Sequence, residues 1–154
     1  MANQFKKKEL ILKEPQFMNI SKNNIAVKKA IDDARSSIDI FKAALNNLPE
    51  DVYACVKFYI PEHQGAKDGG NIWLTEPFFD SGHCYAQPFE LPEEFTWIKV
   101  GQWLKFPEKD ILDWYLLSEA GNLKGGFSLR CQRELIPTEE QSEFDEKIGV
   151  KNYL

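Results

Sequence analysis

The stretch VGQWLKFPEKDILDWYLLSEAGNLKGGFSLRCQR, Val100–Arg133, decides the fold class, because its apolar residues are typical of three consecutive strands joined by two turns. Ile111–Leu117 is apolar and aromatic apart from Asp113, which predicts a strand buried over most of its length. Gly121-Asn122 tolerates left-handed backbone, so a hairpin loop is expected there. In Phe127–Arg133, apolar and polar residues alternate, and this pattern predicts a half-solvated antiparallel strand.

The paired glycines Gly125-Gly126 allow two interpretations. Glycine backbone lets a ligand or a partner approach closely, and it equally allows the positive φ of a β-bulge or of a strand start. A phosphate-binding loop is not indicated, because the chain has no GxxxxGK[ST] motif and the segment after the glycines has the pattern of a strand.

Composition predicts one globular domain over residues 1–154, with 43% apolar and 13% aromatic residues. The net charge of −5 argues against general nucleic-acid binding, because phosphates need a basic face, whereas a basic protein partner would suit this charge. Mild acidity also serves solubility alone. Three cysteines without a CxxC motif predict neither a disulfide framework nor a zinc site. We find no signal peptide pattern and no apolar run of about 18 residues, so we expect a cytoplasmic protein that does not enter a membrane.

The region before the first strands predicts one long helix, Asn24–Leu48, which Pro49 ends. We expect the basic residues 1–8 to fray and Glu9–Lys13 to form a short edge strand. The helix is indicated by apolar residues spaced four and three apart, namely Val27, Ile31, Ala34, Ile38, Phe41, Leu45 and Leu48.

Alternating patterns predict further strands at Asp51–Ile60, Asn71–Phe79 and His83–Gln87. Near the end of the chain, Thr138 is a candidate cap of a short helix that Gly149 ends. The predicted fold is therefore α+β: one long N-terminal helix packed on one face of a strongly twisted, mostly antiparallel sheet of about six strands, with a short C-terminal helix in the segment 137–154.

The chain resembles the YegJ-like family of uncharacterised small bacterial domains over roughly residues 25–133. The matching residues are Ala30–Arg35, Phe41, Val56-Lys57-Phe58, Ile72-Trp73-Leu74, Gly101, Asp113-Trp114-Tyr115 and Gly125–Arg130. Its most specific part is the DW…GGFSLR element. In that family an acidic residue and a histidine often precede the Trp of the IWL-like strand, whereas this chain has Gly70 and Asn71 there. The resemblance implies a bacterial source, a helix-plus-sheet fold and no established reaction. Members near secreted-toxin loci suggest, by analogy, a toxin-neutralising role.

Three residues are candidates for a ligand-binding site: Asp113, Arg130 and Trp73. Neighbouring strands would place Asp113 beside Arg130 as a charge-assisted pair close to Trp73 or Trp103. The alternative is that Trp114 belongs to the core and that Asp113 and Arg130 form a structural cross-strand pair.

No catalytic or metal-binding set is evident in the sequence. His63 lies in a polar loop without an identifiable partner. His83 and Cys84 are neighbours on a strand, so their side chains point to opposite faces and do not share an ion readily. We therefore predict no metal site and no cofactor.

The preferred function is a non-enzymatic protein-binding module, most concretely an immunity-type protein that neutralises a basic bacterial toxin domain. Its candidate partner-binding residues are the acidic side chains Glu93, Glu94, Glu108 and Asp110, which can steer a basic partner. The rival function is a small enzyme or ligand-binding domain that uses Asp113, Arg130 and His83. A third alternative is a domain that dimerises through a sheet edge, and the sequence leaves monomer and homodimer open.

Overall fold

The computed structural model describes residues 20–154. The predicted strand Glu9–Lys13 and the residues expected to fray lie outside the described residues. The described part forms four α-helices, one 3-10 helix and seven strands. In chain order these are α1 (Ile20–Ser36), α2 (Ile38–Leu45), β1 (Val52–Pro61), β2 (Gly69–Asp80), β3 (His83–Pro88), β4 (Leu104–Pro107), the 3-10 helix Glu108–Asp110, β5 (Asp113–Ser118), β6 (Asn122–Gly125), α3 (Phe127–Leu135), α4 (Thr138–Ile148) and β7 (Asn152–Tyr153).

The seven strands form one sheet in the order β4-β3-β2-β1-β5-β6-β7. Every neighbouring pair is antiparallel except β6 and β7, which are parallel. The predicted α+β class and the mostly antiparallel sheet are thus confirmed. Strand β1 is central, because it pairs with β2 on one side and with β5 on the other.

The prediction of one long N-terminal helix is wrong, because the helix is interrupted at Ser37. The indole Nε1–H of Trp114 donates to the carbonyl oxygen of Ala34 at 3.2 Å and to Ser37 Oγ at 3.1 Å. The Ser37 hydroxyl itself donates to the Asp33 carbonyl oxygen at 2.7 Å. A side chain that inserts among the helical carbonyls breaks a helix at that point. The apolar stripe nevertheless continues across the break, with Ala34 and Phe41 both fully buried.

Two hydrophobic cores lie on the two faces of the sheet. Alternate residues of β1, such as Val56 and Phe58, contact the core under α1 and α2. The opposite face carries Cys55, and there Leu129 of α3 and Ile148 of α4 complete a second core. The prediction placed a helix on one face only, whereas helices cover parts of both faces.

The predicted strand Phe127–Arg133 is wrong, because these residues belong to α3. The left-handed Gly126 (φ 67°) turns the chain out of the sheet immediately before the helix begins. In the helix, Leu129 and Gln132 are three residues apart and both are buried. The last strand before α3 is instead β6, which takes up part of the predicted hairpin loop.

The C-terminal helix is confirmed as α4, and Gly149 ends it in the left-handed conformation. Thr138 is not its cap, because the residue at the cap position is Pro137 and no side chain caps this end. Arg133 of α3 makes two bonds, of 2.8 and 3.0 Å, to the carboxylate of Asp145 in α4. These bonds hold the two helices together over the second core.

Candidate functional site

Two predicted site residues, Trp73 and Asp113, form a row with Lys57 across the middle of the sheet. Lys57 of β1 is in register with Trp73 of β2 and with Asp113 of β5. All three are buried: the exposed fraction is 3% for Lys57 and 0% for Trp73 and Asp113. The row lies on the face that α3 and α4 cover, because Cys55, two residues before Lys57 on the same strand, belongs to the core there.

The carboxylate of Asp113 caps the N-terminus of α3. Its oxygens accept the backbone N–H groups of Phe127 at 3.1 Å and of Ser128 at 2.8 Å, together with the Ser128 hydroxyl at 2.5 Å. It also accepts the N–H of Trp114 at 2.8 Å. Complete burial raises the pKa of Asp113, while the positive charge of Lys57 and the bonds from Ser128 oppose that rise. Asp113 therefore supplies the side-chain cap that Gly126 lacks.

Lys57 completes this arrangement from the neighbouring strand. Its ammonium donates to Ser128 Oγ at 3.2 Å and lies 5.2 Å from the centre of the Trp73 ring. A lysine beside a serine hydroxyl is a pattern that some nucleophilic enzymes use. Here Asp113 accepts hydrogen bonds from the Ser128 hydroxyl and from two N–H groups at the start of α3. The hydroxyl that would act as the nucleophile and the N–H groups that would stabilise a substrate oxyanion therefore hold the helix in place.

Arg130 does not join Asp113. Because Arg130 lies on α3 and not on a strand, the predicted cross-strand pair is wrong. Its guanidinium donates to the carbonyl oxygens of Gly125 at 2.8 Å and of Leu154 at 2.9 Å, and it lies 5.5 Å from the centre of the Tyr153 ring. Arg130 therefore joins α3 to β6 and β7.

The histidines lie away from this row. Nδ1 of His83 is 3.1 Å from the carbonyl oxygen of Ser81, in the turn between β2 and β3, while its neighbour Cys84 is fully buried in the first core. His63 is exposed in the loop between β1 and β2. The structure brings Trp73 and Asp113 together through Lys57, and it brings neither Arg130 nor His83 to them.

The four acidic candidates fall into two groups, one in the segment before β4 and one directly after it. Glu93 and Glu94 are exposed in the segment between β3 and β4. Glu108 and Asp110 lie in the 3-10 helix that follows β4, next to the turn between β2 and β3. Asp110 is exposed. Glu108 forms an ion pair with Lys42, with 2.6 Å between its carboxylate oxygen and the Lys42 ammonium nitrogen. The structure therefore does not gather the four carboxylates into one patch.

Sequence reasoning missed an aromatic patch, which we define as Phe78, Tyr85 and Trp103. The rings of Phe78 and Tyr85 stack at 4.8 Å, and Trp103 meets Phe78 edge to face at 5.4 Å. Phe78 is 47% exposed and Trp103 is 51% exposed. A register shift between Thr75 and Phe78 brings Phe78 opposite Tyr85. Strand alternation alone could not reveal this contact, because a β-bulge changes which residues share a face.

A cavity of about 610 Å³ opens at one end of the sheet, and we call it the end pocket. It lies where the C-terminal end of α2 approaches the start of β1 and the end of β2. Its apolar lining includes Leu45, Leu48 and Phe78. Its acidic lining residues are Glu50, Glu76, Asp80 and Glu108.

Metal-binding clusters and membrane-crossing helices are both absent from residues 20–154. No group of three His, Cys, Asp or Glu side chains in that range is arranged to hold a metal ion. None of the helices in that range combines the length and the apolar character that a membrane crossing requires.

The chain is similar to a putative ankyrin repeat protein of Neisseria meningitidis serogroup B, with 30% identity over 101 residues. The match covers 64% of this chain and only 39% of that protein. No solved structure shows a significant match. A family model matches residues 24–152, so the chain belongs to the family DUF2314, which is described as an uncharacterized protein conserved in bacteria.

Proposed function

We propose that this chain is a non-enzymatic protein-binding module that recognises a basic partner through the aromatic patch. The observation that carries the proposal is the exposure of Phe78 and Trp103 next to each other on a sheet face. Exposed aromatic side chains in contact are typical of interaction sites, because Trp and Tyr contribute much of the binding energy at protein interfaces.

The position of the patch supports this function. α3 and α4 complete a core over β1, β2 and β5 on this face, and the patch lies toward β3 and the edge strand β4. Lys105 of β4 lies 5.9 Å from the centre of the Tyr85 ring, so the stem of this side chain extends the surface. A partner that contacts the patch would also meet the short edge strand.

Charge decides which partner fits best. The chain has a net charge of −5, and Glu93 and Glu94, which precede β4 in the chain, and Asp110, which follows it, are exposed. Carboxylates around an apolar centre steer a basic protein to the surface and disfavour acidic ones.

The finer form of the proposal is an immunity-type protein whose basic partner is a toxin domain. It is supported by the YegJ-like resemblance and by the acidic balance of the chain. The name of the Neisseria relative, an ankyrin repeat protein, is compatible with a protein-binding role. The enzyme alternative has less support, because the hydrogen bonds of Asp113 and Arg130 tie elements of the fold together.

The test is co-purification of the full chain from its native host with Phe78→Ser/Trp103→Ser as the patch variant. Ile40→Ser is the matched control, because Ile40 is 52% exposed on α2, away from the patch. We expect one basic protein to be recovered with the wild type and the control and lost with the patch variant. The purified pair should bind directly, and more weakly as salt is raised. Equal recovery with the patch variant, or no recovered protein, would contradict the proposal.

A further inference from the structure

We infer that the end pocket receives an arginine or lysine side chain of the protein partner; this inference rests on the proposed function. The pocket would be a second contact beside the aromatic patch, and it would select a positively charged side chain.

The charge of the lining is strongly negative. Glu108 is paired with Lys42 at 2.6 Å. The remaining carboxylates, Glu50, Glu76 and Asp80, are exposed and form no ion pair with another residue of the described range 20–154. A cationic group from a partner would therefore find three carboxylates whose charge no ion pair in this part of the chain neutralises.

The walls of the pocket already accommodate a cation. The ammonium of Lys42 bonds to Glu108 and lies 5.1 Å from the centre of the Phe79 ring. This contact shows that a carboxylate and an aromatic face can hold an ammonium group at the pocket wall. The cavity, with a volume of about 610 Å³, is in the range that accepts a ligand or several side chains.

The apolar lining fits the stem of a long basic side chain. Leu45 and Leu48 form part of one wall, and Phe78 contributes to another. Arg and Lys place their methylene groups on apolar surface while the charged end remains with polar groups. A metal ion would gain nothing from this apolar half of the lining, and an anion would be repelled by the carboxylates.

The pocket and the aromatic patch form one continuous surface. Phe78 belongs to both, since it lines the pocket and stacks on Tyr85 of the patch. A partner loop that covers the patch can therefore extend a basic side chain into the pocket. The pocket would then favour partners that have an Arg or Lys at the position facing it.

The test uses an acetylated tetra-arginine amide peptide as the probe and the full chain as the protein. The pocket variant is Glu76→Gln/Asp80→Asn, and the control is Glu139→Gln/Glu140→Gln, which removes the same charge from exposed positions of α4. We expect calorimetry to show binding at least about tenfold weaker for the pocket variant and about twofold or less for the control. Amide chemical shifts should change mainly in residues 45–54 and 76–82.

Two results would overturn the inference. Equal weakening by both variants, or shifts spread over Glu93, Glu94 and α4, would mean general attraction between charges. Tighter peptide binding, about fivefold or more, after Lys6→Gln/Lys7→Gln/Lys8→Gln would mean that the chain's own lysines compete for the pocket. Unchanged affinity in that variant supports a partner side chain. Because no partner is present in this experiment, its failure is distinct from failure of the co-purification.

Discussion

Asp113 is a single buried side chain that joins three elements. It belongs to β5, its oxygens bond to two N–H groups at the start of α3, and its charge faces Lys57 of β1. A buried carboxylate is stabilising only when its oxygens accept hydrogen bonds and a positive charge lies nearby, and both conditions are met here. The DW…GGFSLR element of the sequence is therefore a helix-capping unit, and the structure gives its residues structural roles.

We expect Asp113→Ala to lower the free energy of unfolding by about 3–5 kcal/mol, because the change removes the acceptor of three backbone N–H groups and of the Ser128 hydroxyl, and with it the negative charge that faces the buried Lys57. The exposed Asp110, three residues earlier, provides a control: Asp110→Ala should change stability by about 0.5 kcal/mol or less. Urea denaturation of both variants measures the difference. Similar losses in the two variants would show that Asp113 is not the cap described above.

Gly125 has a positive φ and no room for a side chain. It has φ 74°, and a Cβ at this position would lie 2.5 Å from the carbonyl oxygen of Trp114. Gly82 has φ 78° with nothing within 4 Å of the corresponding position. We expect Gly82→Ala to cost about 1–2 kcal/mol for the left-handed backbone alone. Gly125→Ala should cost clearly more in the same denaturation measurement, and equal costs would exclude a steric role for Gly125.

At the scale of elements, the break between α1 and α2 lets one apolar stripe follow the surface of the sheet. The ring of Phe41, four residues after the break, stacks on Trp114 at 5.0 Å, while the indole N–H of Trp114 bonds within the break itself. Trp114 thus fills the core with its ring and uses its polar end to satisfy the Ala34 carbonyl. The interruption of the helix is a consequence of this contact.

We expect Trp114→Phe and Ser37→Ala to be coupled, because the Nε1–H of Trp114 donates to Ser37 Oγ. Trp114→Phe should lose about 1–3 kcal/mol, because it removes both hydrogen bonds of the buried indole N–H. Ser37→Ala should lose less, because the indole N–H keeps the Ala34 carbonyl oxygen as an acceptor. A double-mutant cycle in urea should give a coupling free energy of about 0.5 kcal/mol or more. Strictly additive losses would mean that this hydrogen bond does not contribute to joining α1 and α2 to the sheet.

At the scale of the whole molecule, burial of ionisable groups makes stability depend on pH. Burial, assisted by the charge of Glu108, raises the pKa of the Cys84 thiol from 9.0 to about 12. The folded protein therefore keeps this proton at a pH where the unfolded chain has lost it. The stability that the neutral thiol contributes is complete below pH 9 and is lost as the pH rises from 9 toward about 12.

We expect the difference in unfolding free energy between wild type and Cys84→Ala to be constant below pH 9 and to shrink above it. One group titrating in this way changes stability by about 1.4 kcal/mol per pH unit. Denaturation of both proteins at a series of pH values under reducing conditions measures this. A difference that is independent of pH up to about 11 would contradict the raised pKa.

Local sequence patterns were enough to predict the α+β class of the fold. Alternation over Asp51–Ile60 predicts the central strand β1, and Gly149 predicts the end of α4, because both are local patterns read from neighbouring residues. Sequence reasoning also singled out Asp113, Trp114 and Gly125-Gly126 as one unit. One predicted contact of the candidate ligand site, the pair of Asp113 with Arg130, is wrong. That prediction assumed that Phe127–Arg133 is a strand of the sheet, whereas these residues belong to α3.

Contacts between distant parts of the chain set where the chain leaves the sheet and which aromatic residues remain exposed. Phe127–Arg133 becomes a helix because the carboxylate of Asp113, distant in sequence, accepts the N–H groups at its start. The long helix breaks because Trp114 bonds to Ala34 and Ser37. The aromatic patch forms because a register shift turns Phe78 toward Tyr85. Each of these depends on contacts between residues far apart in the chain, which a local pattern does not contain.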